Sequence, residues 1–264
     1  MLLLLCAIAF AQDKGKLIWS DEFDYTGAPD PKRWTNEVGF IRNREAQFYT
    51  AGRLENARVE NGRLIIEARK EQFAIPSGTR GAGGRTNASY TSASLTTRRL
   101  GEWKHVRIEV RAKLPRGRGV WPAIWLLGTN YANAGWPRCG EIDVMEYVGF
   151  DTNTIHANIH TRKYNHMRGT GKGSTLGVPS PFDDFHVYAL DWWADRMDFF
   201  VDDKKYFTYT KELNAADDAW PYDQPFYLIL NLAIGGEWGG QKGIDEAIFP
   251  QRYEIDYVRV YDRQ

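Results

Sequence analysis

The sequence predicts an all-β protein, an antiparallel β-sandwich or jelly roll, from three observations. Apolar and polar residues alternate without exception over residues 106–114, which is the period of a half-buried strand. Further short runs rich in β-branched and aromatic residues are separated by turn sequences such as Glu60-Asn61-Gly62. Helical periodicity is scarce. Many short strands with frequent turns and little helix are typical of sandwiches and jelly rolls.

Ten strands are predicted along the chain. They cover residues 63–69, 106–114, 124–127, 142–147, 154–160, 185–192, 197–201, 205–210, 226–232 and 253–261. Residues 211–219 and a segment around 31–34 are the candidates for short helices. Residues 73–94 and 162–181 are rich in Gly and polar residues and are predicted to be long surface loops. No repeat, linker or charge block divides the chain, so residues 12–264 are predicted to form one domain.

Composition narrows the class of protein. The 264 residues carry 34 Lys+Arg and 34 Asp+Glu, so the chain lacks the net basic charge typical of nucleic-acid binding. Aromatic residues reach 14%. This content suits a β-rich core. It also suits a surface that stacks on flat, neutral groups such as sugar rings.

The first residues have the pattern of an export signal. Residues 2–10 are almost wholly apolar, and Ala9-Phe10-Ala11 forms a small-x-small cleavage pattern before Gln12. Residues 1–11 are therefore predicted to be a signal peptide, too short to span a bilayer. We expect a secreted protein that is not membrane-bound after cleavage. Cys139 is then the remaining cysteine, so an internal disulfide is not expected.

Three acidic residues interrupt one predicted strand. Glu141, Asp143 and Glu146 lie within six residues among Ile, Val and Met. Regular alternation puts Glu141 and Asp143 on one face and Glu146 on the other, and a β-bulge near residues 144–145 would return Glu146 to the first face. Two carboxyls about 5–5.5 Å apart suit a retaining glycosidase. Solvated surface acids and a calcium site are the alternatives.

This segment, Glu-Ile-Asp-Val-Met-Glu, resembles the catalytic signature of glycoside hydrolase family 16 in its six-residue, bulge-containing form. The resemblance extends to residues 19–24, 119–127, 231–240 and 255–261. Residues 147–149 and the Gly- and Trp-containing loop are most similar to the laminarinases, which are endo-acting β-1,3-glucanases. The resemblance implies a concanavalin-like β-jelly roll with a curved substrate cleft.

The resemblance also implies roles for individual residues. Glu141 resembles the nucleophile, Glu146 the general acid/base and Asp143 the assisting acid between them. The positions that resemble substrate contacts are Asn43, Trp121, Trp125, Trp136, His160 and Trp238. Glu22, Gly62 and Asp256 resemble the ligands of a structural calcium ion, the first two through backbone oxygen. No cofactor is expected to be required for catalysis.

The expected substrate is a β-1,3-glucan such as laminarin, and the expected state is a monomer. Two alternatives keep the fold and chemistry but change the polymer, to mixed-linkage β-1,3-1,4-glucan or to an agarose-type galactan. A third is a non-catalytic β-glucan-binding protein. The complete set Glu141, Asp143 and Glu146 argues against that third alternative, because binding relatives lack the catalytic acids.

Overall fold

The computed structural model describes residues 14–79 and 81–263, so the predicted signal peptide lies outside the described residues. Eighteen strands dominate this part of the chain. In chain order they are β1 Leu17–Asp21, β2 Thr35–Asn36, β3 Phe48–Tyr49, β4 Ala57–Glu60, β5 Arg63–Ala74, β6 Asn87–Ser92, β7 Ser94–Thr96, β8 Glu102–Trp103, β9 Val106–Lys113, β10 Val120–Gly128, β11 Glu141–Glu146, β12 Thr154–His160, β13 Lys172–Gly177, β14 His186–Trp192, β15 Arg196–Val201, β16 Lys204–Thr210, β17 Phe226–Ile234 and β18 Gln251–Asp262.

The strands form two sheets. The ten-stranded sheet has the order β16-β15-β14-β9-β18-β5-β6-β3, with β1 added to β18 and β4 to β5. The eight-stranded sheet has the order β13-β12-β11-β10-β17-β7-β2, with β8 added to β17. All pairings are antiparallel except the short parallel pair β3–β6. The predicted antiparallel sandwich is therefore confirmed.

One hydrophobic core lies between the sheets, and strand alternation supplies it. Ile108 and Val110 point into it from β9, and Ile124 and Leu126 from β10, all with no exposed surface. Their neighbours along each strand point away from the core, because successive side chains of a strand face opposite ways. The outward face of the eight-stranded sheet, here named the cleft face, carries a second and smaller apolar cluster that includes Trp125 and Tyr227.

All ten predicted strands are confirmed, whereas both loop predictions were too broad. Residues 73–94 include the end of β5 and all of β6, and residues 162–181 include β13 and a 3-10 helix at His166–Arg168. β6 reads Asn-Ala-Ser-Tyr-Thr-Ser, which has low apolar content, yet it pairs with β5 through its backbone. Backbone hydrogen bonds to the preceding strand therefore override local composition at these two places.

The helix predictions were wrong. Residues 211–219 and 31–34 form turns. The α-helix of the described chain is the single turn α1 Tyr131–Ala134, and a second 3-10 helix covers Glu246–Ile248. No helix within residues 14–79 and 81–263 combines the length and apolar character that a membrane crossing requires.

A buried ion-pair group, here named the outer network, lies on the solvent side of the ten-stranded sheet. Arg107 contacts Glu109 at 2.7 Å and Asp191 at 3.0 Å, and each of the three is at most 2% exposed. Lys14 reaches Glu109 at 2.8 Å, and Arg263 reaches Asp191 at 2.6 Å. Residues at both ends of the described chain thus pair with the two buried carboxylates of this group.

Candidate active site

The three acids of β11 lie together on the cleft face because the strand contains a bulge. Asp143 pairs with Trp125 of β10, and Met145 pairs with the preceding residue, Ile124, so Val144 is the extra residue. The pairing of β11 with β12 shifts in the same interval. Val144 and Met145 both point into the core. The predicted bulge is confirmed, and it returns Glu146 to the face that carries the other two acids.

Glu146 is held by two neutral donors. Trp121 Nε1 donates to Glu146 Oε1 at 3.2 Å, and Asn158 Nδ2 donates to Glu146 Oε2 at 3.1 Å. Burial raises the pKa of Glu146, and the charge on Asp143 raises it further, while the charge on His160 and these two hydrogen bonds oppose the shift. Glu146 is therefore suited to carry a proton near neutral pH.

Glu141 has a cationic neighbour. Trp136 Nε1 donates to Glu141 Oε2 at 3.0 Å, and His160 Nε2 lies 3.6 Å from Glu141 Oε1. Burial raises the pKa of Glu141, and the charge on His160 opposes this. A positive imidazolium in contact favours the carboxylate form, so Glu141 is better placed than Glu146 to be ionised.

Asp143 and His160 form a closely coupled pair between the two glutamates. His160 Nε2 lies 3.2 Å from Asp143 Oδ2. Burial and the charge on Glu141 raise the pKa of Asp143. Burial alone would lower the pKa of His160, but its contact with Asp143 and the surrounding carboxylates raise it to about 9. The histidine therefore offsets part of the negative charge of the three acids.

Aromatic side chains border the acids on two sides. Trp238 packs edge-on against Trp121 and His156, with ring centroids 5.4 Å and 4.9 Å apart. These rings form a wall on the Glu146 side. Trp136 lies 5.9 Å from His160 and 5.4 Å from His166 on the Glu141 side. All three tryptophans are half-buried and keep some surface open.

Trp125 differs from the other tryptophans. It lies on the cleft face beside Asp143, but it is only 7% exposed, and the guanidinium of Arg42 lies 4.8 Å above its ring. A cation thus covers one face of a ring that was expected to contact the substrate. Burial works against the charge of Arg42, but the nearby Glu37 and Glu45 carboxylates raise its pKa. The role of Trp125 as a substrate contact stays a prediction.

A buried hydrogen-bond chain connects Trp125 to Asn43. Trp125 Nε1 donates to Asn231 Oδ1 at 2.8 Å, and Asn231 Nδ2 donates to the Tyr49 hydroxyl at 3.0 Å. That hydroxyl donates to Glu45 at 3.1 Å, and Asn43 Nδ2 donates to the other Glu45 oxygen at 3.2 Å. Asn43 is exposed and adopts a positive φ of 53°.

Sequence reasoning missed several residues that contact the site. They are Arg42, Glu45, Tyr49, His156, Asn158, His166 and Asn231. Asn158 and His156 could have been found from the sequence. Both lie at every second position before His160, on the strand that follows the acids, so all three share one face. The others come from distant segments, and no local pattern points to them.

The predicted calcium positions lie near the other sheet. Glu22 follows β1, whose Asp21 pairs with Val258, and Asp256 lies at a register irregularity in β18. The Glu22 carboxylate pairs with Arg259 at 2.8 Å, and Asp256 Oδ2 pairs with Arg111 at 2.6 Å. Guanidinium groups thus engage both side chains, and backbone carbonyls would have to supply most of the six to eight oxygens that calcium takes. These positions could therefore bind calcium only if main-chain oxygens supply most of its ligands.

A β-sandwich with a pair of glutamates on one face, in different environments and bordered by tryptophans, has the arrangement of a glycoside hydrolase. Comparison with known proteins agrees. Residues 44–259 match the model of the family described as glycosyl hydrolases family 16, and the chain belongs to that family.

Relatives and solved structures are similar over nearly the whole chain. A beta-glucanase from Rhodothermus marinus is 48% identical and covers 93% of this chain and 85% of its own. The X-ray structure of the laminarinase from Rhodothermus marinus matches with a TM-score of 0.85 and 47% identity over 94% of this chain and 97% of its own. SCLam, a non-specific endo-β-1,3(4)-glucanase, matches with a TM-score of 0.87 and 47% identity. The match covers 94% of this chain and 91% of the SCLam chain.

Proposed function

We propose that this chain is a secreted endo-β-1,3-glucanase that hydrolyses its substrate with retention of configuration. The observation that carries the proposal is the bulge in β11, which puts Glu141 and Glu146 on one face with Asp143 between them. Retaining glycosidases need two carboxyls on the same cleft, one ionised and one protonated. The different neighbours of the two glutamates provide that asymmetry.

In the first step Glu146 donates its proton to the glycosidic oxygen as that bond breaks. Glu141 attacks the anomeric carbon and forms a glycosyl ester. The raised pKa of Glu146 keeps the proton available, and the positive His160 keeps Glu141 ionised. Asp143 lies between the two and holds His160 in place through the 3.2 Å contact.

In the second step water hydrolyses the ester. Glu146, now ionised, takes a proton from that water, and the sugar is released with its original anomeric configuration. The indole N–H of Trp121 and the amide of Asn158 stabilise the ionised form of Glu146 during this step. Half-buried tryptophans on both sides offer faces on which sugar rings can stack.

The identity of the polymer follows from the relatives. Both a beta-glucanase and a laminarinase are close to half identical to this chain, which supports β-1,3-glucan as the substrate. SCLam, equally similar, is a non-specific endo-β-1,3(4)-glucanase. Mixed-linkage glucan is therefore the second candidate substrate, on the same site and by the same chemistry.

The test is a substrate panel with product analysis. The purified protein is incubated with laminarin, lichenan, cellulose and agarose, and reducing ends are counted over time. We expect rapid release of short oligosaccharides from laminarin. Proton NMR of the first products should show the β-anomer before mutarotation. An α-anomer as first product would overturn the retaining mechanism.

The other outcomes decide between the alternatives. Turnover of lichenan without laminarin would move the protein to mixed-linkage glucan, and turnover of agarose alone would move it to galactans. If the folded protein hydrolyses none of the four polymers but still binds glucan, the result would support a non-catalytic binding protein instead.

We further propose secretion after removal of residues 1–11, a monomeric state and a calcium ion bound near Glu22, Gly62 and Asp256. The N-terminal sequence of the exported protein should begin at Gln12, and light scattering after gel filtration should give the mass of one chain. The calcium ion should raise the melting temperature, because a ligand that binds only the folded state stabilises it. A melting temperature that EDTA and added Ca²⁺ leave unchanged would contradict the calcium proposal.

A further inference from the structure

We propose that Glu141, Asp143 and His160 also form a binding site for a transition-metal dication such as Zn²⁺. Nothing in the hydrolytic reaction requires this ion. Binding would occur in the resting protein, before substrate enters, and would block the attacking oxygen of Glu141. The binding stands on geometry alone, whereas the inhibition that it causes rests on the proposed function.

The donor atoms already have the spacing of a chelate. His160 Nε2 lies 3.2 Å from Asp143 Oδ2 and 3.6 Å from Glu141 Oε1, and one donor atom from each of the three lies within 4.8 Å of the others. Zn–N and Zn–O bonds are about 2.0–2.2 Å, so two donors on a tetrahedral ion lie about 3.3–3.6 Å apart. Small side-chain adjustments therefore suffice to bring all three onto one ion.

The group is buried and contains a carboxylate oxygen that lacks a hydrogen-bond donor of good geometry. The side chain of Asp143 is 4% exposed and that of His160 is 10% exposed. Asp143 Oδ2 accepts no hydrogen bond of good geometry from the described residues, although His160 Nε2 is its near neighbour. A metal ion bound here would contact this oxygen and would take the place of the proton on His160 Nε2.

The mixture of donors selects the kind of ion. One imidazole nitrogen with two carboxylate oxygens suits Zn²⁺ or Cu²⁺, whereas Ca²⁺ and Mg²⁺ prefer oxygen ligands alone. Water would fill the remaining position, as it does in open zinc sites. Within the described part of the chain, these are the three side chains of this type whose donor atoms converge. The site is distinct from the predicted calcium positions near the other sheet.

The test is calorimetric titration of the purified protein with ZnCl₂, with CaCl₂ and MgCl₂ as comparison ions. The variant is His160→Gln, which keeps a polar side chain but removes the nitrogen ligand. The matched control is His186→Gln, since His186 also contacts a carboxylate, Asp202 at 2.9 Å, but lies on β14 of the other sheet. We expect one Zn²⁺ per chain and little heat from Ca²⁺ or Mg²⁺.

The variants decide the outcome. Zn²⁺ affinity should fall at least about tenfold in His160→Gln, since loss of even an outer-shell partner of a metal site costs 10–100-fold. It should stay unchanged in His186→Gln. Asp143→Asn should show the same loss, so the site can be tested even if His160→Gln does not fold. Wild-type affinity in a folded variant of either residue, or equal binding of Ca²⁺, would overturn the site.

Activity separates this inference from the proposed function. If the protein hydrolyses laminarin, Zn²⁺ should inhibit competitively, and inhibition should weaken in His160→Gln relative to the activity of that variant. Hydrolysis that continues at Zn²⁺ concentrations that saturate the calorimetric site would overturn the inhibition. Specific Zn²⁺ binding by a protein that hydrolyses no glucan would support the metal site while refuting the proposed function.

Discussion

Single residues create the difference between the two glutamates of the site. Both are buried in a similar way, so burial alone would leave them alike. Glu146 has neutral donors, Trp121 and Asn158, while Glu141 has His160 in contact. A neutral donor stabilises a carboxylate less than a positive imidazolium does. The proposed roles of acid and nucleophile therefore depend on neighbours contributed by β10 and β12.

We predict that Glu141→Gln and Glu146→Gln each reduce hydrolysis of laminarin by at least about a hundredfold. General acid–base catalysis alone contributes about 10²–10⁴-fold, and loss of the nucleophile removes the covalent step. Initial rates of reducing-end release measure this. Glu55→Gln is the control, because Glu55 is exposed and pairs with Arg53, away from the three acids. Wild-type turnover by either folded active-site variant would contradict the assignment.

The pH dependence of laminarin hydrolysis should change when Asn158 is replaced. Its amide stabilises the ionised form of Glu146, so Asn158→Ala should raise the pKa of Glu146 further. The protonated acid would then persist to higher pH, and the alkaline limb of kcat/KM should move upwards. A pH profile measured on laminarin shows this, with Asn87→Ala on β6 as the control. A limb that moves to lower pH would be the opposite of what this contact predicts.

At the scale of the element, the bulge of β11 sets which side chains share the cleft face. Six residues in strict alternation would send Glu146 into the core, where an ionised group is costly. Val144 and Met145 instead both fill the core. The bulge could be predicted from the sequence, because it alone reconciles three acids at this spacing with one face.

Deletion of Val144 tests this geometry. A regular strand of Glu-Ile-Asp-Met-Glu would still present all three acids on one face, so we expect the variant to fold and retain measurable activity. Its melting temperature should fall, because a buried side chain is lost from the core. Deletion of Ile142 is the matched change. It would turn Glu141 towards the core and should abolish hydrolysis. Equal activity of the two deletions would refute the alternation argument.

At the scale of the whole molecule, the outer network links both ends of the described chain to the ten-stranded sheet. Glu109 and Asp191 have no exposed surface, and Arg107 lies between them. Burial would raise the pKa of Glu109, but contacts with Lys14 and Arg107 outweigh burial and lower it. Stability from this contact is therefore present above the pKa of an unfolded glutamate and is lost as the pH falls through the lowered folded value.

We predict that Arg107→Met lowers the free energy of unfolding by about 3–5 kcal/mol, since it leaves two carboxylates buried without their central partner. Urea unfolding at neutral pH measures the loss. The deficit relative to wild type should shrink in acid, where Glu109 becomes protonated. Lys204→Met, at an exposed position, is the control. A change in Arg107→Met no larger than that of the control would show that the network adds little stability.

Many features of the fold and of the site could be predicted from the sequence alone. Alternation over 106–114 and nine similar runs located ten strands correctly, and the acids at 141, 143 and 146 pointed to one face and to a bulge. These features are local, since side-chain alternation and turn chemistry act between residues a few positions apart.

The remaining features require the folded chain. β6 and β13 exist through backbone pairing with the strands that precede them, across long connections, and Arg42 covers Trp125 across a gap of more than eighty residues. The same holds for the donors that distinguish Glu146 from Glu141, because hydrogen bonds and burial depend on which distant segments the sheets bring into contact.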